Sequence, residues 1–207
     1  MIIAMDGPAA SGKGTLAKQL ASHYGLGHLD TGALYRAVAR DMLAGGRDLD
    51  DEVAAAQTAR NIDPETLEDP GLRTAAMGEA ASLVAKLPQV REALVEYQRA
   101  FARRPGGAVI EGRDIGTVVC PDADVKIFVE ASAQVRAKRR HKELIEAGQD
   151  IAYEEIHAQI AARDALDRSR AVSPLVPAQD AHLLDTSDLG IEAALKAAVK
   201  LIDSVIR

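Results

Sequence analysis

The chain has 207 residues, of which 27% are charged and 47% are apolar, and its formal net charge is −6. These values are typical of a globular protein, and the negative balance argues against a general nucleic-acid binder. The single cysteine, Cys120, excludes an internal disulfide, and no apolar run approaches the roughly 18 residues of a membrane span. Because the chain starts directly with a predicted strand, we expect no signal peptide and a cytoplasmic protein.

The first fifteen residues form the most informative pattern. Residues 1–5 are an apolar run that predicts a buried strand ending at Asp6, and a glycine-rich segment then runs into a helix predicted for Lys13–Tyr24. Strand, glycine turn and helix are the context of a phosphate-binding loop, in which backbone N–H groups converge on phosphate oxygens. The predicted ATP-binding residues are Gly7, Pro8, Ala9, Ala10, Ser11, Gly12, Lys13, Gly14 and Thr15.

The residue after the loop lysine departs from the common pattern. Lys13 supplies a cation for the terminal phosphates, but the usual Ser or Thr that follows is Gly14, and the hydroxyl comes at Thr15. GTPases use the first hydroxyl to hold magnesium, so the metal is expected here to depend more on nucleotide phosphates and water. The form GKGT resembles nucleoside monophosphate kinases. The histidines show no spacing typical of metal ligands, and no direct metal ligand is predicted.

The rest of the chain alternates between helices and short strands. In chain order, the patterns predict a strand at Gly27–Asp30, a helix ending at residues 45–46, two short helices within 48–69, helices at 72–87 and 89–103, strands at 108–111 and 125–129, a strand at His182–Asp185, and a helix at 191–206. Thr31 suits either a helix cap or a place beside a second phosphate. Pro88 suits the first turn of its helix.

Five apolar strands separated by helices predict an α/β fold with a doubly wound parallel sheet. Ligands of such sheets lie beyond the carboxyl ends of the strands. The phosphate loop, residues 30–36 and residues 112–114 each follow a strand. We therefore expect these three segments to line one functional edge.

Two arginine-rich helical segments predict a hairpin. Arg136, Arg139 and Arg140 share one helix face, with a turn predicted at residues 146–150. Further on, Arg163, Asp167 and Arg170 share another face. Isolated charge runs usually form a solvated surface, but beside a phosphate loop these arginines suit a lid that neutralises phosphates and excludes water.

Longer segments resemble the bacterial cytidylate kinases. GPAASGKGT, DTGALYR, AASLVAKLPQVREAL, EGRDIGTVVCPDADVKIFV and RDALDRSRAVSPL occur in that family's order and span most of the chain. The resemblance implies a P-loop kinase that transfers the γ-phosphoryl of ATP to CMP, with dCMP as a second acceptor and Mg²⁺ as cofactor. It also implies a monomer that binds neither nucleic acid nor membrane.

The resemblance also implies roles for individual residues. Those matching acceptor-phosphate ligands are Thr31, Arg36 and Arg113; those matching cytosine-recognising residues are Ser82, Arg91 and Asp114; those near the pentose and its phosphate are Arg163, Asp167 and Arg170. Catalysis would depend on Lys13, Arg113, Arg136, Arg163 and Arg170. Chemistry agrees, because a carboxylate accepts from the amino group of cytosine and an arginine donates to its N3 and O2.

The chain is expected to form a single P-loop kinase domain. The core would comprise about 1–40, 105–131 and 171–207, with an acceptor-nucleotide lobe at about 41–104 and a helical lid at about 132–170. Within the lobe, residues 45–73 are shorter than is common in the family and lack an alternating apolar run.

Three alternatives are weighed against this interpretation. Another small P-loop kinase would prefer UMP, AMP or shikimate as acceptor. A GTPase-type switch would need an Asn-Lys-x-Asp sequence, which is absent. A non-enzymatic nucleotide-binding regulator would form no CDP from ATP and CMP.

Overall fold

The computed structural model describes residues 1–146, 148–170 and 173–206. Ala147 of the predicted lid turn, and residues 171, 172 and 207 of the last predicted core segment, lie outside the described residues. The strands are β1 (Ile2–Asp6), β2 (Gly27–Asp30), β3 (Ala108–Gly112), β4 (Val125–Glu130) and β5 (His182–Asp185). The α-helices are α1 (Lys13–Tyr24), α2 (Thr31–Ala44), α3 (Glu52–Arg60), α4 (Ala75–Val84), α5 (Pro88–Ala102), α6 (Ala133–Glu146), α7 (Tyr153–Arg168) and α8 (Ile191–Val205).

The five strands form one sheet in the order β2-β3-β1-β4-β5. β1 pairs in parallel with β3 on one side and with β4 on the other, and β4 pairs in parallel with β5. The chain therefore leaves β1 toward one side of the sheet and returns to the other, which confirms the predicted doubly wound sheet. Ligands in such folds bind where the winding reverses, at the carboxyl end of the central strand.

The chain divides into two compact units, one of residues Met1–His28 and Arg104–Arg207 and the other of Leu29–Arg103. The first unit contains the main apolar core, in which α1 and α8 pack against the strands. Its members include Ile3, Met5, Leu20, Ile127 and Ile202, all nearly or fully buried. Strands β1, β3 and β4 are apolar on both faces, as expected for a sheet covered by helices on either side.

The second unit is helical apart from the end of β2. Helix α2 contacts α3 and α4, and α3 contacts α5. The predicted helix at 72–87 is shorter in the structure, because a 3-10 turn at Pro70–Arg73 precedes α4 and Thr74 caps it. Pro88 opens α5 as predicted. Residues 45–73 contribute α3 and two 3-10 turns, in keeping with their lack of an alternating apolar run.

Just before β3, the backbone at Gly107 lies very close to the backbone of Met1. Gly106 and Gly107 both have left-handed φ angles, of +89° and +84°. A Cβ on Gly107 would lie 2.7 Å from the nitrogen and 2.9 Å from the carbonyl carbon of Met1, whereas nothing lies within 4 Å of a Cβ on Gly106. Only Gly107 is therefore required for steric reasons as well as for its φ angle.

This neighbouring pair supports a matched experiment. Gly106→Ala should lower the free energy of unfolding by about 1–2 kcal/mol, the cost of a left-handed non-glycine residue. Gly107→Ala should cost roughly 1–3 kcal/mol more, because the methyl group also collides with the first residue of the chain. Urea denaturation measures both values, and equal losses would contradict the steric argument.

Candidate active site

The phosphate loop begins directly after β1 and packs tightly against β4. Gly7 has a φ of +152°, and a Cβ at that position would collide with the backbone carbonyl of Val129. Gly12 precedes α1 with a φ of +86° and has no side chain to cap the helix. The first N–H groups of α1 therefore suit an anion. Lys13 reaches back across the loop, with its Nζ 3.5 Å from the carbonyl oxygen of Pro8.

Two arginines of α6 donate to the carbonyl groups of the phosphate loop. Arg136 Nη1 donates to Ala9 O at 3.2 Å, and Arg139 Nη1 donates to Ser11 O at 3.2 Å. Arg139 also donates to the carbonyl oxygen of Thr186 at 2.6 Å. These hydrogen bonds satisfy two carbonyl groups of the loop, as polar backbone groups near the interior require. The two arginines thus support the loop from behind.

Arg136 also ties the two lid helices together. It is 3% exposed and forms a bidentate ion pair with Asp164 of α7, with N···O distances of 3.0 and 2.5 Å. Apolar residues of both helices, including Leu144 and Ile156, pack beside this pair. Arg140 lies away from this packing and pairs with Glu143 on the surface. The predicted hairpin therefore forms, but its arginines have different partners.

Three arginines converge on the carboxylate of Asp167, which is 1% exposed. Arg113 Nη1 lies 2.7 Å from Oδ1, Arg170 Nη2 lies 3.3 Å from Oδ1, and Arg163 Nε lies 3.4 Å from Oδ2. Burial, with the like charges of Arg163 and Arg170, lowers the pKa of Arg113 to about 10, although Asp167 opposes the shift. Arginine side chains stay charged in proteins, so three guanidinium groups around one carboxylate carry an excess of positive charge, which suits a phosphate.

The remaining predicted substrate residues divide between the two compact units. Asp114 belongs to the unit of the arginine cluster, whereas Thr31, Arg36, Ser82 and Arg91 belong to the helical unit. Asp114 is 9% exposed and precedes a π-helical turn, Ile115–Val119. Within its own unit, Ser82 is buried on α4 and donates its hydroxyl to Gly78 O. Arg91 lies half-buried in the first turn of α5.

Of the two places that the sequence left open for Thr31, the cap of α2 is occupied by another residue. Thr31 is the first residue of α2, and Asp30 is the cap, because its Oδ1 accepts a hydrogen bond from Ala33 N at 3.2 Å. Asp30 also pairs with Arg36, whose Nη2 lies 2.7 Å from Oδ2. Asp is at least as good a cap as Thr. The carboxylate thus caps the helix and also holds Arg36 at its start.

Sequence reasoning missed two buried carboxylates at this edge. Asp6 accepts hydrogen bonds from Ile115 N and Gly116 N, both at 2.8 Å. Glu111 lies beside the phosphate loop and contacts His28, with Nε2 and Oε1 3.0 Å apart. Both are acidic residues near the carboxyl end of an otherwise apolar strand, which is a pattern that sequence inspection can find. Nothing in the sequence indicates that His28 contacts Glu111.

A parallel sheet whose central strand leads through a glycine loop and lysine into a helix, with arginines clustered at the same edge, defines a P-loop phosphotransferase. A family model described as cytidylate kinase matches residues 3–204. The chain therefore belongs to the cytidylate kinase family.

Proteins with the same family name are similar over nearly the whole chain. A cytidylate kinase of Rhodopseudomonas palustris (strain BisA53) is 58% identical over 99% of this chain and 97% of its own length. One from Xanthobacter autotrophicus (strain ATCC BAA-1158 / Py2) is 57% identical over 99% of this chain and 98% of its own length. Such coverage means that the similarity includes both compact units.

Solved structures that are more distant support the fold alone. An uncharacterized protein from Eubacterium ventriosum ATCC 27560 is 17% identical, with a TM-score of 0.57 and coverage of 99% of each chain. A sugar kinase from Janibacter sp. HTCC2649 is 18% identical, with a TM-score of 0.52 and coverage of 98% of this chain and 94% of its own. In the part of the chain that the structure describes, none of the helices is long and apolar enough to span a membrane.

The environment of Asp6 predicts a pH effect on stability. Burial raises the pKa of Asp6 from 3.8 to about 6, although the two backbone N–H donors oppose the shift. Between these values the folded state binds the proton more tightly than the unfolded state, so stability falls as the pH rises. Relative to Asp6→Asn, which does not titrate, the wild type should lose about 2 kcal/mol from pH 4 to pH 7.

Urea denaturation of both proteins across this pH range measures the effect. The informative quantity is the difference in the free energy of unfolding between the wild type and Asp6→Asn, followed as a function of pH. The substitution itself shifts stability by an amount that does not depend on pH, so only a change in this difference reports the titration of Asp6. A difference that stays constant with pH, or that grows in favour of the wild type, would contradict a raised pKa for Asp6.

Proposed function

We propose that this protein transfers the γ-phosphoryl group of ATP to CMP, giving ADP and CDP, and that dCMP is a second acceptor. The observation that carries this proposal is membership of the cytidylate kinase family over residues 3–204. The cluster of Arg113, Arg163 and Arg170 around Asp167 supplies positive charge of the kind that the triphosphate of ATP and the phosphate of CMP require. The alternative of a P-loop kinase for a different acceptor has no comparable support.

The reaction requires little covalent help from the protein. The bond between the γ-phosphorus and its bridging oxygen to the β-phosphate breaks as a phosphate oxygen of CMP bonds to that phosphorus. The acceptor oxygen is already ionised, so no general base is needed. Catalysis then consists of positioning and of neutralising the equatorial oxygens. Lys13, Arg113, Arg163 and Arg170 are proposed for that neutralisation, and Arg136 is proposed to support the phosphate loop while bound to Asp164.

Magnesium is the proposed cofactor, and Glu111 fits it. When bound, magnesium neutralises charge on the β- and γ-phosphate oxygens. Proteins usually hold it through one or two carboxylates together with substrate phosphates. The Glu111 carboxylate lies beside Gly14, where GTPases place the hydroxyl that holds the metal. Among the described residues, no group of three or more His, Cys, Asp or Glu side chains is suited to hold a metal.

For the acceptor, Ser82, Arg91 and Asp114 are proposed to recognise cytosine, and Thr31, Arg36 and Arg113 its phosphate. Asp114 suits the amino group of the base, because an ionised carboxylate only accepts hydrogen bonds. Uracil presents a carbonyl oxygen at that position and would be repelled. The monomeric state and cytoplasmic location expected from the sequence stay predictions.

Formation of CDP from ATP and CMP, followed in a coupled assay, tests the proposal. CMP should be a far better acceptor than UMP, AMP or shikimate. Lys13→Ala should lower turnover by roughly 10²–10³-fold, because it removes a cation from the phosphates. Lys18→Ala, an exposed change of the same charge on α1, should leave turnover near that of the wild type. Faster turnover of another acceptor would overturn the proposal.

The Asp114→Ala variant tests base recognition. Removing the carboxylate should lower kcat/KM for CMP much more than for UMP, because the variant loses the acceptor for the amino group and also the repulsion of uracil. Base discrimination of this kind is worth about 1–3 kcal/mol. The matched control is Lys13→Ala, which should lower kcat/KM for both nucleotides and leave their ratio unchanged. An unchanged CMP-to-UMP ratio in Asp114→Ala would show that Asp114 does not recognise the base.

A further inference from the structure

The phosphate loop contacts an acidic side chain at Gly14, where many P-loop proteins have a hydroxyl. A Cβ on Gly14 would lie 3.2 Å from Oε1 and 3.3 Å from Oε2 of Glu111. A serine or threonine at this position would therefore compete for space with the carboxylate. The absence of a side chain at position 14 therefore leaves room for the carboxylate of Glu111, which lies close to the place that a side-chain hydroxyl would take.

Glu111 is held in this place by His28. The Nε2 atom of His28 lies 3.0 Å from Oε1, and the two side chains are 15% and 7% exposed. A carboxylate oxygen is a hydrogen-bond acceptor, and an imidazole nitrogen that carries a proton is a donor, so the proposed contact has His28 Nε2 as the donor. Both residues belong to the same compact unit as the phosphate loop. The contact joins β2 to β3, because His28 lies in β2 and Glu111 in β3.

A glutamate side chain has three rotatable bonds, so proximity alone does not fix the direction of its carboxylate. A single hydrogen-bond donor that contacts one of the two carboxylate oxygens fixes that direction. Supporting partners of this kind orient the groups that serve metals, and their loss typically lowers metal affinity by 10–100-fold. His28 is a partner of this kind for Glu111, because its Nε2 contacts one oxygen of the Glu111 carboxylate.

We infer that His28 is a positioning residue for phosphoryl transfer, which holds the Glu111 carboxylate against Gly14 in the direction that serves the magnesium of the bound nucleotide. This inference rests on the proposed function, because it needs a nucleotide with magnesium at the phosphate loop. In this role His28 acts through Glu111 and not through direct contact with the nucleotide or the metal. Its contribution therefore acts entirely through Glu111.

The test measures ADP binding by isothermal titration calorimetry, once with excess Mg²⁺ and once with a chelator. The ratio of the two dissociation constants, without and with the metal, is the magnesium effect. His28→Phe keeps a ring but removes the donor, so the magnesium effect should fall toward one, with a loss of about tenfold in metal affinity. ADP binding in chelator should stay within about twofold of the wild type, which also confirms that the variant is folded.

Three further variants separate positioning from general support. His28→Gln places an N–H donor near the original Nε2 and should restore most of the magnesium effect. Glu111→Gln should lose it, and adding His28→Phe to Glu111→Gln should cause no further loss, since the two residues act as one unit. His182→Phe, at an exposed histidine at the start of β5, is the matched control and should behave as the wild type.

Two results would overturn the inference. One is a magnesium effect in His28→Phe equal to that of the wild type. The other is an equal weakening of ADP binding with and without the metal, which would make His28 a structural support only. If the wild type itself shows no magnesium effect, the proposed role of Glu111 fails together with this inference. A magnesium effect in the wild type that survives in His28→Phe overturns the inference alone.

Discussion

The buried carboxylate of Asp6 is the contact on which the functional edge of the first unit depends. It lies at the end of the central strand, one residue before the phosphate loop, and accepts hydrogen bonds from Ile115 N and Gly116 N. A Cβ on Gly116 would lie 3.4 Å from its Oδ2 and 3.2 Å from Cδ of Lys126, so the segment after Asp114 packs closely here. Asp6 therefore fixes the phosphate loop and the segment of Asp114 relative to each other. Its raised pKa shows that this arrangement has a cost in desolvation.

A second constraint is that the first unit must accommodate several positively charged arginines close to one another. A site for polyphosphates needs several arginines, and buried arginines without acceptors are costly. Asp167 serves as the acceptor for Arg113, Arg163 and Arg170, and Asp164 serves Arg136. The pair of Arg136 and Asp164 has no net charge and joins helices α6 and α7, whereas the three arginines around Asp167 have an excess of positive charge. The first arrangement is that of a structural ion pair, and the second is the arrangement expected of the proposed anion site.

At the phosphate loop, the side chain that is missing at position 14 is replaced in space by a side chain from a strand of the sheet. Glycine in place of the usual hydroxyl at position 14 makes room for a carboxylate from β3, and β2 supplies a histidine that contacts this carboxylate. Three separate segments of the chain thus contribute to one corner of the loop. The loop and Glu111 lie at the carboxyl ends of β1 and β3, and His28 lies within β2.

The sequence by itself determined most of the helices and strands, the sheet type and the phosphate loop. Apolar runs, glycine turns and Pro88 are local features, and the physical rules that govern them act over a few residues, which is why α1, β2 and β5 have their predicted bounds. The same holds for the lid hairpin, because helical spacing places its arginines on shared faces. Only the tertiary structure decided the partners that are distant in the chain: Arg136 pairs with Asp164, and His28 contacts Glu111. The cap at Asp30 and the pair of Arg140 with Glu143 span three residues each, so they are local contacts that the sequence patterns did not single out. His28 and Glu111 are 83 residues apart in the chain, and no local pattern encodes their contact, because it arises only when parallel strands bring their ends to one edge of the sheet.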